Sequence, residues 1–216
     1  MSKLLILRSK ENMQKIQVIE DFAKMAIRSN PALNHIYEDI MKNDTEVYEH
    51  GLRVCRLATA LTVYYNFNLN DQINIAVGCM LHDVGKLYLD KHILYQQERL
   101  AKDERLAIEG HTNLGYKLIK EANVDNAILD IVRMHHELIN GKGYPSGANY
   151  AQIPIHVQIV TVADIYDTLT AKDKYGDYCS QADAFKKLRA KDGLNTVAVD
   201  ILIDIVKNMA VKTAER

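Results

Sequence analysis

Apolar residues recur at helical spacing along almost the whole 216-residue chain. Between Ile73 and Val84, for example, apolar side chains stand at i, i+3, i+4, i+7, i+8 and i+11. This period places them on one face of a helix, which predicts a buried stripe. No alternating run of four or more β-branched residues stands free of a helical pattern. We therefore expect an all-α fold, built as a compact helical bundle.

The same period predicts further helices separated by short breaks. Two of them begin with recognisable signals: Asn30 is suited to cap a helix whose first residue is Pro31, and Pro154 opens a second one. The chain is long enough to bury a substantial core without a disulfide or a structural metal. These further helices are expected near residues 11–28, 32–42, 45–66, 102–122, 125–137, 154–171, 180–190 and 195–211.

Composition and charge limit the classes of partner. The chain is 48% hydrophobic and 25% charged, as in an ordinary ordered protein. Its formal net charge of −1 argues against a nucleic-acid polymer or an acidic membrane as partner, because such binding needs a broad excess of Lys and Arg. A small phosphorylated ligand needs only local positive charge, and a homo-oligomer stays open.

Cysteine usage and the N-terminal residues indicate the compartment. The three cysteines are widely spaced, which favours reduced thiols. Four consecutive apolar residues before Arg8 are too few for a signal peptide or a membrane span. We therefore expect a cytoplasmic protein that does not enter a membrane. Residues 1–42 hold no chemical motif and are expected to form accessory N-terminal helices.

Histidines and carboxylates stand at or near the ends of several predicted helices. Glu46 and His50 are four residues apart, so they share a helix face and can share a cation, although a solvated Glu-His pair is the simpler interpretation of these two residues alone. His82 and Asp83 are adjacent, and on a helix their side chains point about 100° apart. They are followed by Gly-Lys in HDVGK, in which Lys86 can meet a phosphate.

Two further segments add candidate ligands. His135 and His136 end a predicted helix just before the glycine-rich loop INGKGYPSGANYAQIP, and adjacent histidines can serve two ions or one ion and a supporting bond. Asp164 lies in an apolar helix, where a carboxylate is costly unless a cation or hydrogen bonds compensate it. Asp167 is expected to be a supporting group or exposed. The candidate ligands are Glu46, His50, His82, Asp83, His111, His135, His136 and Asp164, a mixed nitrogen and oxygen set.

These residues resemble the motifs of the HD superfamily of metal-dependent phosphohydrolases, and within it the HD-GYP branch. The resemblance covers about residues 44–175, and the Gly143-Tyr144-Pro145 triplet distinguishes the branch. Residues 43–216 are therefore expected to be the catalytic domain. The matching motifs, in family order, are HGLRV from His50, HDVGK from His82, HTNLG from His111, HHELINGKGYP from His135 and VADIYDTLT from Val162.

The resemblance implies a helical bundle around two metal ions, with room for a third, that cleaves the bacterial messenger cyclic di-GMP. Fe or Mn is expected, with Zn, Co and Ni as alternatives. Glu46 takes the place of a ligand to the third ion. By the same resemblance, His50, His82, Asp83 and Asp164 hold one ion, Asp83 bridges, and His111, His135 and His136 hold its neighbour.

The implied chemistry is phosphodiester hydrolysis by two cations about 3.5–4 Å apart, which bind phosphate oxygens and deprotonate a bridging water for in-line attack. Asp83 and Lys86 are the expected catalytic residues, the first by orienting the nucleophile and the second by offsetting charge on the phosphate. Tyr144 can stack on a base or anchor the loop. The residues expected to contact substrate are Lys86, Gly143, Tyr144, Pro145, Asp167, Lys172 and Lys174.

The chain departs from the family after DTLT. The family continues with a basic, proline-containing stretch, whereas this chain reads AKDKYGDY, with Asp173 in place of Arg and Gly176 in place of the last cation. The substrate positions therefore differ while the ligand positions are intact. A phosphodiesterase on a cyclic dinucleotide is the leading hypothesis. The alternatives are an HD nucleotidase or phosphatase on another nucleotide, and a non-catalytic module that senses a nucleotide or docks a partner.

Overall fold

A computed structural model describes residues 10–96, 98, 100–171 and 179–214. Within these ranges the chain is helical and contains no strand, so the predicted all-α class is confirmed. No helix among them is both long and apolar enough to cross a membrane. The α-helices are α1 (Lys10–Ser29), α2 (Pro31–Asn43), α3 (Thr45–Tyr64), α4 (Leu69–Leu81), α5 (Lys91–Tyr95), α6 (Lys102–Glu109), α7 (His111–Ile119), α8 (Asn126–Met134), α9 (Ile155–Thr170), α10 (Gln181–Ala190) and α11 (Thr196–Ala214), with 3-10 turns at Val84–Tyr88 and Lys120–Ala122.

Helix starts follow the predicted signals better than helix breaks do. The side chain of Asn30 accepts hydrogen bonds from the backbone of Ala32 and Leu33, so it caps α2 as predicted. The single helix predicted over residues 102–122 is wrong, because the chain divides at Gly110 into α6 and α7. Gly110 keeps helical dihedral angles, with φ −62° and ψ −17°, so the apolar period continues across the change of direction.

Two other boundaries differ from the prediction. The helix expected to run through Val84 ends at Leu81, and the chain then tightens into the 3-10 turn. The short helix α5 was not predicted. Both differences lie where the chain turns around the site. The elements there are only about five residues long, too short for apolar periodicity to predict them.

Helices α3, α4, α8 and α9 form the centre of the bundle. Two glycines allow the close approach of α4 to its neighbours: a Cβ at Gly51 would lie 3.2 Å from the carbonyl oxygen of Met80, and one at Gly78 would lie 2.7 Å from Cδ1 of Ile131. Larger side chains at these positions would push the helices apart. This packing brings the C-terminal ends of α4 and α8 together, where the histidines follow.

The N-terminal helices share the core of the rest of the chain. Ile16, Ile19 and Ile27 of α1 belong to the same cluster of buried side chains as the central helices. Glu20 is buried on this face and accepts a hydrogen bond from Arg56 Nε of α3 at 2.7 Å. Helices α1 and α2 thus pack on the bundle, and the boundary at residue 42 stays a prediction.

The cysteines give a direct test of this packing. Cys55 and Cys79 are fully buried, and burial raises the pKa of the Cys55 thiol to about 12 and that of Cys79 well above its usual value. Alkylation requires the thiolate. We expect iodoacetamide to modify only the half-buried Cys179 in the native protein, and all three cysteines in denaturant, by intact-mass spectrometry. A Cys179→Ser control should stay unmodified when native, and fast labelling of Cys55 or Cys79 would contradict the packing.

Candidate metal centre

Seven of the eight predicted ligands meet at one end of the bundle, each held by a helix or a helix end. His50 lies in α3, His82 and Asp83 follow α4, and Asp164 lies in α9. His111 is the first residue of α7, and the remaining two histidines follow α8. Six of the seven form two groups within which all ligand atoms lie within 4.8 Å of one another, and Asp164 adjoins the first group through His50 Nε2, 3.0 Å from its Oδ1. The first group is His50, His82 and Asp83, and the second is Asp83, His111, His135 and His136.

Three of the histidines are oriented in the same way by a backbone carbonyl. A carbonyl only accepts hydrogen bonds, so Nδ1 carries the proton and the neutral ring presents an unprotonated Nε2. Such a bond fixes a metal-ligating imidazole. The bonds join His82 Nδ1 to the Cys79 oxygen at 2.7 Å, His111 Nδ1 to the Ile108 oxygen at 2.7 Å, and His135 Nδ1 to the Ile131 oxygen at 3.0 Å.

The atoms at the centre of the cluster lack the protons that would pair them. The Nε2 atoms of His111 and His135 lie 3.2 Å apart, and in the neutral tautomer whose Nδ1 donates to a carbonyl neither carries a proton. Oδ1 of Asp83 is buried without a hydrogen-bond donor and lies 3.2 Å from His111 Nε2. Facing lone pairs and an orphaned carboxylate oxygen are unfavourable unless a cation lies between them. The residues therefore fit a divalent metal ion.

The charge state of the second group also suits a cation. Burial alone would raise the pKa of Asp83, but the ammonium of Lys86, whose Nζ lies 2.5 Å from Oδ2, holds that pKa well below its usual range. Burial lowers the pKa of His135 to about 4, and it holds the pKa of His136 well below its usual value. An anionic carboxylate with neutral imidazoles is the state that ligation requires.

In the first group, His50 lies between two carboxylates. Its Nε2 lies 3.0 Å from Asp164 Oδ1 and its Nδ1 lies 2.7 Å from Asp167 Oδ2. Burial alone would lower the pKa of His50, but these two bonds raise it to about 10. Burial likewise opposes ionisation of Asp164, and the bond from His50 brings its pKa below the usual range. A metal ion held by His50 would take the place of one of its ring protons.

Asp167 was predicted in two ways, as a group that supports a ligand and as a contact to substrate. Its buried carboxylate lies behind His50 and also accepts a hydrogen bond from Arg53 Nε at 2.8 Å. It stands one helical turn after Asp164, on the side of α9 that faces α3. These contacts fit the supporting role beside His50, and a contact to substrate stays a prediction.

Glu46 is the predicted ligand that the structure leaves out of the cluster. It is exposed in the first turn of α3 and belongs to neither group of ligand atoms. The four-residue spacing puts it on the same side of the helix as His50, but one turn nearer the start of α3. Lys172 and Lys174, the predicted substrate contacts after α9, lie outside the described residues.

The glycine-rich loop closes against the second group. Gly143 has no room for a side chain, since a Cβ would lie 2.4 Å from the backbone nitrogen of Leu138. Its neighbour Tyr144 lies over His136, with ring centroids 4.7 Å apart and planes inclined by 29°. Pro145 follows a cis peptide bond. The Gly-Tyr-Pro triplet thus forms a wall of the cluster.

Sequence reasoning missed Glu137. This carboxylate is 2% exposed, and its two oxygens accept hydrogen bonds from the backbone nitrogens of Ser146 at 2.6 Å and Ala148 at 2.9 Å. It therefore holds the loop from inside. An acidic residue directly after the paired histidines and before the loop was the available signal, but no local pattern says that it is buried.

The chain is an all-α bundle, and its helix ends converge on a buried cluster of histidines and aspartates. This arrangement is typical of a class of helical domains that can bind metal ions. The profile of the HD domain family matches residues 35–196, and the chain belongs to this family. The resemblance stated from the motifs is confirmed at this level.

The curated relatives described next are longer than the segment that aligns with this chain. The chain is 26% identical over 179 residues to a cyclic di-GMP phosphodiesterase of Pseudomonas aeruginosa, covering 82% of this chain and 42% of the relative. It is 28% identical to a cyclic di-GMP phosphodiesterase of Thermotoga maritima, covering 69% and 41% respectively. It is 24% identical to 3'3'-cGAMP-specific phosphodiesterase 1 of Vibrio cholerae, covering 74% and 37%. The chain thus spans about two fifths of the length of these relatives.

Solved structures share the fold. An HDG"Y"P protein of Bdellovibrio bacteriovorus aligns with a TM-score of 0.66 at 21% identity, covering 94% of this chain and 67% of the other. The HD domain of a phosphodiesterase from L. monocytogenes, solved in complex with cyclic-di-AMP, aligns with a TM-score of 0.60 at 18% identity, covering 83% and 95%. At these identities the likeness concerns the fold.

Removal of the central carboxylate should abolish stabilisation by metal. Mn(II) at about 100 times its Kd contributes about 2.7 kcal/mol to folding stability. For a chain of this size that raises Tm by about 5–10 °C. We expect this shift in the parent protein, its reversal by EDTA, and its loss in Asp83→Asn, by differential scanning fluorimetry. Asp204→Asn, at an exposed position of α11, serves as the matched control and should retain the shift. An equal shift in Asp83→Asn would contradict the assignment.

Glu137→Gln should loosen the loop. The amide has one oxygen where the carboxylate has two, so a donor would face the backbone nitrogen of Ser146 or Ala148. A buried mismatch of this kind costs about 1–3 kcal/mol. We expect a lower free energy of unfolding in urea and faster hydrogen exchange at residues 146 and 148. Glu121→Gln, at a side chain that is 83% exposed, is the control and should change neither. Unchanged exchange in Glu137→Gln would refute the role.

Proposed function

We propose that this chain is a metal-dependent phosphodiesterase that hydrolyses a cyclic dinucleotide, with cyclic di-GMP as the first candidate. The observation that carries the proposal is the shared position of Asp83. Its carboxylate belongs to both groups of ligand atoms, which is the arrangement expected of a carboxylate that bridges two ions. The related phosphodiesterases of P. aeruginosa, T. maritima and V. cholerae, named for cyclic di-GMP and 3'3'-cGAMP, support the substrate class.

The proposed centre holds two divalent ions, with Fe or Mn expected and Zn, Co or Ni as alternatives. When bound, such ions neutralise phosphate charge and lower the pKa of a water molecule. Glu46 lies outside both groups, so a third ion is not part of the proposal. One ion would be held by His50, His82, Asp83 and Asp164, and the other by Asp83, His111, His135 and His136.

Lys86 is the proposed contact for the phosphate under attack. Burial alone would lower its pKa, but the adjacent Asp83 raises that pKa, so the side chain keeps its positive charge. Its side chain is 23% exposed whereas that of Asp83 is 3% exposed, so the ammonium lies between the buried carboxylate and solvent. An ammonium there can donate to a phosphate oxygen as negative charge develops in the transition state.

The loop contributes the wall of the binding site. Gly143, Tyr144 and Pro145 lie next to the second group of ligands, where part of a dinucleotide would rest. The sequence after α9 differs from the basic stretch of the family, so Lys172 and Lys174 are proposed to supply the remaining positive charge for the second phosphate. Because this segment is altered, cyclic dinucleotides other than cyclic di-GMP belong in the test.

The test is hydrolysis by the full chain. We expect protein loaded with Mn(II) or Fe(II) under reducing conditions to convert cyclic di-GMP to the linear dinucleotide or GMP, measured by chromatography. Lys86→Met should lower kcat by about 10²–10³-fold, as removal of a donor to developing charge does. Asp83→Ala should remove both metal content and turnover. Lys142→Met is the control, because Lys142 is 73% exposed and contacts Asp192 at the surface.

Other outcomes separate the alternatives. Turnover of mononucleotides without any cyclic dinucleotide would refute the substrate class and favour a nucleotidase. Two metal equivalents without turnover of cyclic di-GMP, cyclic di-AMP, cGAMP or mononucleotides would refute the enzymatic proposal and favour a sensing or docking module.

A further inference from the structure

His136 differs from the other histidines of the cluster in how its ring is held. His82, His111 and His135 each donate from Nδ1 to a backbone carbonyl, and His50 is held by Asp167. Within the described part of the chain no hydrogen bond orients the His136 ring. Its Nδ1 lies 3.9 Å from Asp164 Oδ2, beyond hydrogen-bond distance, and its side chain is 25% exposed.

The aromatic ring of Tyr144 covers His136. The ring centroids are 4.7 Å apart, and the planes are inclined by only 29°, which is a stacked arrangement. Tyr144 also meets His111 edge-on, with centroids 6.4 Å apart and planes at 80°. Aromatic pairs of these two geometries attract each other beyond simple burial. The tyrosine therefore contacts two rings of the second ligand group at once.

The backbone of the loop holds Tyr144 in this position. Its N–H donates to the carbonyl oxygen of His136 at 3.2 Å, so the tyrosine is tied to the residue on which it stacks. The loop can fold back onto His136 in this way only with glycine at position 143, because a Cβ there would lie 2.5 Å from the His136 oxygen. Glu137 binds the next part of the loop through Ser146 and Ala148. The backbone is thus held in place both at Tyr144 itself and just after it in the loop.

We propose that Tyr144 is a positioning residue for His136. Its ring holds the imidazole in the orientation for metal binding, as a backbone carbonyl does for His82, His111 and His135. The inference rests on the proposed function in one respect, because it takes His136 to be a ligand. One face of the Tyr144 ring is thereby occupied by a residue of the same chain.

The chemistry of stacking makes this role separable from the alternatives. Stacking needs the ring and not the hydroxyl, so Tyr144→Phe should retain it. Tyr144→Leu keeps a similar apolar bulk but has no ring. Tyr150→Leu is the matched control, because Tyr150 lies in the same loop, is 64% exposed and takes no part in the cluster. Tyr144→Met provides a second ring-free variant if the leucine variant does not fold.

The experiment measures metal binding directly. Each full-length variant is dialysed against graded Co(II), bound metal is counted by elemental analysis, and the visible absorption of bound Co(II) reports the ligand field. We expect Tyr144→Leu to bind one of two equivalents about 10-fold more weakly, which is the usual effect of losing a group that orients a ligand. Its Co(II) spectrum should change, whereas Tyr144→Phe and Tyr150→Leu should match the parent.

Three outcomes would overturn the inference. Equal metal affinity and an equal Co(II) spectrum in Tyr144→Leu and the parent would show that His136 does not depend on the ring. Equal losses in Tyr144→Phe and Tyr144→Leu would assign the effect to the hydroxyl. A higher KM for cyclic dinucleotide with unchanged metal binding would assign Tyr144 to substrate stacking. Parent protein that binds no Co(II) would instead refute the proposed function itself, and this inference with it.

Discussion

The buried carboxylate of Asp83 determines how the surrounding structure must be arranged. An anion that is 2% exposed is strongly unfavourable unless positive charge or hydrogen-bond donors compensate it. Lys86 satisfies one oxygen, while the other has no donor and faces unprotonated imidazole nitrogens. The bundle thus concentrates electron-pair donors around one anion and supplies a single ammonium, that of Lys86, against it. That is unfavourable for an empty core and favourable for a core that holds cations.

Helix ends are what make this arrangement possible. The last carbonyls of a helix have no partner within it, so they are free to accept a side-chain hydrogen bond. The carbonyls of Cys79 in α4, Ile108 in α6 and Ile131 in α8 all lie in a last turn and orient a histidine. The break at Gly110 lies directly between the Ile108 carbonyl in the last turn of α6 and His111 at the start of α7, the two groups that this hydrogen bond joins.

The loop after α8 adds a second means of orientation. Gly143 allows the chain to come back onto residues 136–138, and Glu137 ties the loop to the interior through two backbone nitrogens. The Gly-Tyr-Pro motif of the family thus has local physical reasons: its glycine is required sterically, and its tyrosine has a proposed stacking role. The more exposed His136 is supported by a side chain where its neighbours are supported by backbone.

Residue order alone predicts the all-α class, most helices and the set of residue types suited to a metal, because apolar periodicity and ligand chemistry are local properties. It does not predict the break at Gly110, where the period continues through the turn. It also leaves two roles open for Asp167, overlooks the buried Glu137, and does not show that Glu46 is exposed, since each depends on which way a side chain faces relative to a distant element. His50 and Asp167 are 117 residues apart, and only the packing of α3 against α9 brings them within 2.7 Å. Long-range geometry of this kind arises from the packed bundle as a whole, and no single segment contains it.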